Sequence, residues 1–197
     1  MHGLVALDIN GETVRPSIIW CDSRAVEIGN RASKDLGNNF LDKSFNKPGN
    51  FTASKLKWVK ENEPSVYKSI AKIMLPGDYL AYKFTNKMCT TKSGLSEGIM
   101  WNFTQNKVAE ELLDYYQINK NLLPDVVDSF GNQGVVSEQV ANELNLSSNV
   151  IISYRAGDQP NNALSLNVFE PGEVAATAGT SGVVYGISDQ LTYDKKS

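Results

Sequence analysis

Arg155-Ala156-Gly157-Asp158-Gln159-Pro160 and, a little downstream, Gly179-Thr180-Ser181-Gly182 decide how this chain reads. The first stretch sets a carboxylate just after the apolar run Val150-Ile151-Ile152 and ahead of a helix signal. The second is a small-residue turn between two β-like runs, Glu173 to Ala178 and Val183 to Ile187. A carboxylate at a strand end can accept a proton from a bound hydroxyl. A Gly/Thr/Ser turn can offer successive N–H groups to phosphate. In that order the two stretches point to phosphoryl transfer. Taken singly, each has a plainer reading: Asp158 as a helix N-cap, where Asp ranks among the best residues, and the turn as a hairpin loop. The turn is not a Walker A loop, because no Lys closes it.

Working outward, the carboxyl-terminal part reads as a buried strand from Val150 to Tyr154 and a helix from Asp158 or Pro160 through Leu166. A turn at Pro171-Gly172 follows, then a β-hairpin from Glu173 to Ile187. The amino-terminal part opens as a hairpin. Gly3 to Leu7 and Val14 to Trp20 flank the Asn10-Gly11 turn signal, with Pro16 keeping the second arm short. Asp22 or Ser23 caps a helix that ends near Leu36 at Gly37, and residues 38–50 are a loop. The spacing predicts a helix from Thr52 to Asn62 with Leu56 and Val59 on its apolar stripe and lysines on its flanks. Pro64 starts a short helix through Ile70, Lys72 to Leu75 is a strand, and a helix runs from Tyr79 to Phe84. Residues 87–106 are the least regular. Lys107 to Tyr116 is helical, and Ser137 caps a helix to Leu144. Helices alternating with short strands make the chain α/β or α+β.

At 197 residues, 41% hydrophobic and 21% charged, the composition is that of a globular protein. The net charge of −3 comes without a basic stripe, so nucleic acid is not an expected partner. No apolar run reaches the length of a membrane span, and the amino terminus lacks the charged and apolar regions of a signal peptide. Cys21 and Cys89 stand apart and read as reduced thiols, so a cytoplasmic location is expected. With one histidine, His2, no metal site or Ser-His-Asp triad can be assembled from the sequence. Trp20-Cys21-Asp22-Ser23-Arg24 could hold a polyol by stacking and hydrogen bonding. It reads equally as a core Trp, a cap and a surface Arg, and Phe51 is similarly open.

Six short blocks then fall in order: Met1-His2-Gly3, Ile19 to Arg24, Phe51 to Trp58, Leu75 to Leu80, Ala156 to Gln159 and Gly179 to Gly182. Together they resemble the FGGY family of carbohydrate kinases, most closely its xylulose-phosphorylating members. The resemblance covers essentially the whole chain. It implies an α/β, actin-like (ribonuclease-H-like) lobe, with residues 1–168 as a sugar-binding first lobe and 169–197 as the start of an ATP-binding second lobe. It implies ATP and Mg²⁺ as cofactors and xylulose as substrate, phosphorylated to xylulose 5-phosphate. Asp158 falls on the catalytic base. Met1 and His2 fall on the sugar-contacting pair, and Trp20, Asp22, Phe51 and Gln159 on positions lining the sugar pocket. Gly179, Thr180 and Ser181 fall on the phosphate-binding turn, and no side chain falls on a metal ligand. Gluconate, glycerol, ribulose or another polyol is the alternative substrate, and a sugar-binding fragment without transfer is the alternative activity.

Two departures from the family pattern shape the expectations. The Asp-X-Gly-Thr phosphate motif that opens such kinases is missing, and the chain stops soon after its second phosphate turn. A truncated or mis-started kinase, inactive alone, is therefore expected, with self-association through the strand edge left uncovered. At Thr90-Thr91-Lys92-Ser93-Gly94, relatives carry an Asp after Thr.

Overall fold

The Asn10-Gly11 turn closes the opening hairpin as its chemistry dictates. Asp8 Oδ1 accepts from the N–H groups of Asn10 and Glu12, and Gly11 takes φ 80°. In the computed structural model, residues 2–147, 149–179 and 182–194 are described. β1 (Val5–Leu7) pairs antiparallel with β2 (Lys72–Met74) in the register Val5↔Met74. Its other edge meets the short second arm through Leu4↔Ile18 and Leu7↔Thr13. β1 is thus paired on both sides, and all three of its residues are buried.

Between these arms the chain builds a helical layer. α1 (Val26–Ser44) carries a kink at Gly37 (φ 59°, ψ −156°), so the helix continues through the segment expected as loop. The reason is tertiary: Phe40 and Leu41, beyond the glycine, are buried in the core, and that burial outweighs the local stop signal. Neither Asp22 nor Ser23 caps α1. Ala25 is the N-cap, without a side-chain bond, and Asp22 turns to Arg24 instead. α2 (Thr52–Asn62) matches its predicted bounds, and α3 (Pro64–Ser69) starts on its proline. α4 (Pro76–Thr85) begins at Pro76, three residues before the expected start, because proline's fixed φ suits the first turn.

The stretch expected to be irregular holds β3 (Cys89–Thr91), α5 (Lys92–Glu97) and β4 (Trp101–Asn102). β4 pairs with β5 (Lys107–Val108), so the helix expected from Lys107 starts only at α6 (Glu110–Tyr116). β6 (Asp125–Val127) runs parallel to β3. α7 (Glu138–Glu143) is capped by Ser137, as read from sequence. The run Val150–Tyr154 is not a buried strand. It pairs irregularly with 130–136, through Val135↔Ile151 and Phe130↔Tyr154, and Ile151 and Phe130 are exposed. A continuous apolar run does not by itself report burial.

By compactness the chain divides into Met1–Arg155 and Ala156–Ser197. The second unit holds α8 (Asp158–Ser165) and the antiparallel hairpin β7 (Val174–Ala178) and β8 (Gly182–Gly186). None of the helices described is long and apolar enough to cross a membrane.

The core of the first unit joins α1, α2, α6 and β1 around Leu4, Ala32, Leu56, Val59, Leu112 and Tyr116. Within it, the Tyr116 hydroxyl lies 2.8 Å from Ser54 Oγ, and burial pushes that phenol up to about 12. Ser54 Oγ also lies 3.1 Å from the carbonyl of Pro48, tying the 46–51 loop to α2. The same loop presses against α1 so closely that a Cβ on Gly29 would sit 2.0 Å from the Gly49 carbonyl oxygen. Glycine to alanine in an ordinary helix interior is worth about 1 kcal/mol of added stability. Here the sign should reverse. Gly29→Ala is expected to cost roughly 1–3 kcal/mol through forced backbone shifts, seen as a lower urea midpoint at unchanged slope.

Candidate active site

The site is organised from the first turn of α2. Phe51, in extended conformation, is the N-cap of this helix, and Thr52 Oγ1 donates to the Gly3 carbonyl at 3.1 Å. One turn further, Lys55 is fully buried. Its Nζ donates to the backbone carbonyls of Asn50 (2.7 Å), His2 (3.1 Å) and Trp20 (3.4 Å). Three donors meet three acceptors, which is the full capacity of an ammonium. Burial pushes Lys55 below its ordinary lysine value, and the nearby Asp22 charge opposes that. Sequence reading placed this lysine on the solvated flank of α2. The overlooked signal is spacing: Lys55 lies four residues before Val59, on its buried face.

The three carbonyls belong to segments that the sequence singled out. The His2 ring packs edge-on against Phe51, with centroids 4.6 Å apart at 87°. His2 Nδ1 lies 3.0 Å from the Glu97 carbonyl oxygen and 3.3 Å from Glu97 Oε2. His2 and Phe51 line one cavity of about 250 Å³, walled also by the stacked pair Phe45 and Phe103 and by Ser44, Ser96 and Glu97. Of the predicted sugar-pocket residues, these two are brought together.

Trp20 and Asp22 lie outside that cavity's lining. Trp20 is 66% exposed. Asp22 grips Arg24 through Nε at 2.8 Å and Nη2 at 2.7 Å, and the Arg24 guanidinium lies 4.6 Å over the Trp58 ring. Those hydrogen bonds hold the Asp22 carboxyl at about 2. Asn50 Nδ2 donates to the Asp22 carbonyl at 2.7 Å, while Asn50 Oδ1 is buried without a partner among the described residues. Met1 lies outside the described residues.

Arg155, the last residue of the first unit, is anchored. Its Nη2 donates to the Cys89 carbonyl at 3.1 Å, and its Nε lies 3.5 Å from Asp78 Oδ1. Asp78 is buried at 4% exposure, and desolvation pushes its carboxyl up despite the guanidinium. In sequence it falls in the Leu75 to Leu80 block and follows the Pro76-Gly77 turn, without a role of its own.

In the second unit, Gly157 takes the N-cap of α8 and Asp158 is its first helical residue. Asp158 makes no capping bond and is exposed, with no hydrogen bond or ion pair among the described residues. The plain N-cap reading therefore does not hold, because Gly157 already fills that place. Gln159 follows, half-buried. Gly179 is exposed at the end of β7, and Thr180 and Ser181 lie outside the described residues. Across the turn, a Cβ on Gly182 would meet nothing closer than 3.8 Å, so the backbone there is open to approach.

The chain matches the FGGY family of carbohydrate kinases, N-terminal domain, over residues 1–165, and it belongs to that family. It is 33% identical to the xylulose kinase of Staphylococcus xylosus over 196 residues, 98% of this chain and 41% of the relative. It is 32% identical to that of Lactococcus lactis over 186 residues, 93% and 37%. Among solved structures, a "xyloylose kinase" from Brucella ovis superposes with a TM-score of 0.91 at 28% identity, covering 98% of this chain and 40% of that one. A ligand-bound xylulose kinase from Lactobacillus acidophilus gives 0.90 at 24% identity, over 100% and 40%, and speaks for the fold alone. The fold is thus that of the FGGY sugar kinases, an actin-like α/β architecture, and the chain spans about 40% of the curated relatives it matches.

Two outcomes test this framework. Lys55→Met keeps the aliphatic stem but leaves three carbonyls without their donor. A loss of about 1–3 kcal/mol is expected in chemical denaturation, and an unchanged midpoint would contradict the clamp. Asp22 should titrate near 2 in the folded chain against 3.8 for the free group. Its stabilising contribution is full above the unfolded value and disappears as pH falls through the folded one. Carboxyl NMR titration reads this directly, and Arg24→Ala should move the midpoint back up.

Proposed function

We propose that this chain is the sugar-binding part of an ATP-dependent kinase that converts D-xylulose to D-xylulose 5-phosphate, with Asp158 as the base. One observation carries the reading: Asp158 opens α8 without capping it, so its carboxylate is left for chemistry. Residues 1–168 would form the sugar-binding lobe and 169–197 the beginning of the ATP-binding lobe. His2 and Phe51, on the shared cavity, are the best-supported sugar contacts. Met1, Trp20, Asp22 and Gln159 are the further sugar contacts proposed. The choice of xylulose follows the curated relatives, which are xylulose kinases.

In the transfer step, Asp158 accepts the proton of the terminal sugar hydroxyl as that oxygen bonds to the γ-phosphorus and the bond to ADP breaks. Phosphoryl transfer asks mainly for positioning and charge stabilisation. The open backbone at Gly182 suits a turn that donates N–H groups to phosphate, and Gly179, Thr180 and Ser181 are the phosphate contacts proposed from the sequence. Among the described residues no three His, Cys, Asp or Glu side chains gather to hold a metal. Mg²⁺ would come on the nucleotide phosphates, where it would supply charge neutralisation.

The test is a coupled ADP-release assay over a panel of pentuloses and polyols, on the full-length kinase containing this chain. Xylulose should give the highest kcat/KM. Asp158→Ala should lower kcat about 10²- to 10⁴-fold while sugar binding, read by calorimetry, stays within a few-fold. Full residual turnover would sink the assignment of the base.

A further inference from the structure

We infer that Glu97 is a positioning residue of the sugar site: it fixes the tautomer of His2 and so presents Nε2 to a substrate hydroxyl as an acceptor. The inference rests on the sugar-site reading of the His2 cavity. His2 Nδ1 faces two oxygens of the same residue, the Glu97 carbonyl at 3.0 Å and Glu97 Oε2 at 3.3 Å. A carbonyl and a carboxylate only accept hydrogen bonds, so Nδ1 carries a proton. In the neutral ring Nε2 is then a bare lone pair. That nitrogen has no partner among the described residues.

The arrangement follows from local structure. Glu97 is the last residue of α5, and the closing carbonyls of a helix lack intrahelical donors. His2 supplies one. The carboxylate adds an electrostatic contact on the same nitrogen at 3.3 Å, so rotating the ring would forfeit the hydrogen bond and that contact together. Phe51, edge-on at 4.6 Å, packs the ring against the cavity wall. A polyol in the cavity then meets aromatic walls at Phe45 and Phe103, and a nitrogen that accepts a hydrogen bond from a hydroxyl. Neutral imidazole free in water favours the opposite tautomer, with the proton on Nε2. The geometry at Glu97 therefore changes what the ring offers the substrate.

The chain has a single histidine, so long-range nitrogen–proton NMR of the 197-residue protein reports one imidazole. In alkaline buffer the expected spectrum has a protonated, pyrrole-type Nδ1 and a bare, pyridine-type Nε2. Adding D-xylulose should move the Nε2 signal. Glu97→Ala removes the carboxylate but keeps the backbone carbonyl, so the Nδ1–H form should stay the major one while the Nε2–H form rises to a detectable minor fraction and xylulose binding weakens a few-fold to about tenfold. Glu97→Gln, which keeps an acceptor oxygen, should restore most of both. Backbone amide spectra check that each variant is folded. A wild-type ring protonated at Nε2, or variants matching wild type in tautomer and affinity, would overturn the inference. An Nδ1–H ring indifferent to xylulose would instead overturn the sugar-site reading beneath it.

Discussion

The buried ammonium of Lys55 is the constraint on which the arrangement of the first unit depends. Three separate segments deliver a carbonyl to it: the amino-terminal strand at His2, the end of the opening hairpin at Trp20, and the loop before α2 at Asn50. None of these carbonyls sits in a regular ladder that could satisfy it otherwise. A charged group is costly to bury, and its cost is offset only when every donor is used. Lys55 meets that condition, which ties the register of α2 to the placement of His2 and Phe51. Neighbouring bonds reinforce the frame, from Thr52 to Gly3 and from Asn50 to Asp22.

A second polar contact, between Arg155 and the buried Asp78, closes the end of the first unit. Arg155 spans the carbonyl of Cys89 in β3 and the carboxylate of Asp78 in α4. The pair is less complete than the lysine clamp. At 3.5 Å the contact is an ion pair without hydrogen-bond geometry, and Asp78 Oδ2 lacks a partner among the described residues. Desolvation accordingly wins over attraction at Asp78. Removing either partner would strand the other in a dry site, so the pair specifies position more than it adds stability.

What the sequence made legible was local chemistry. Asn10-Gly11 announces a hairpin, Ser137 a cap, Pro64 a helix start, and the spacing of Leu56 and Val59 a helix with correct ends. The motif order from His2 to the Gly179 turn was enough to imply the family. What it hid depends on partners distant in the chain. Gly37 reads as a stop because the burial of Phe40 and Leu41 is not a local property. β3 and β6 are three-residue strands that pair across 33 intervening residues, Lys92 to Pro124, with no turn signal to join them. Lys55 carries a charge and reads as a flank of α2, and Glu97 falls in the stretch 87–106 that reads as the least regular. Only the carbonyls that Lys55 meets and the His2 ring beside Glu97 reveal what these side chains hold in place.

The capping of α8 bears on how Asp158 can be interpreted. Had its side chain capped the helix, its loss would be expected to cost about 0.5–2 kcal/mol of stability. A fall in turnover could then reflect a damaged fold. With Gly157 at the cap, Asp158 contributes to α8 only as an acidic residue in the first turn, worth about 0.3–1 kcal/mol. A general base, by contrast, lowers a barrier by about 3–5 kcal/mol, at 1.36 kcal/mol per tenfold in rate. The two contributions differ enough in size to be separated in one variant. The glycine cap thus leaves the helix to the backbone and the Asp158 carboxylate free for the proposed role.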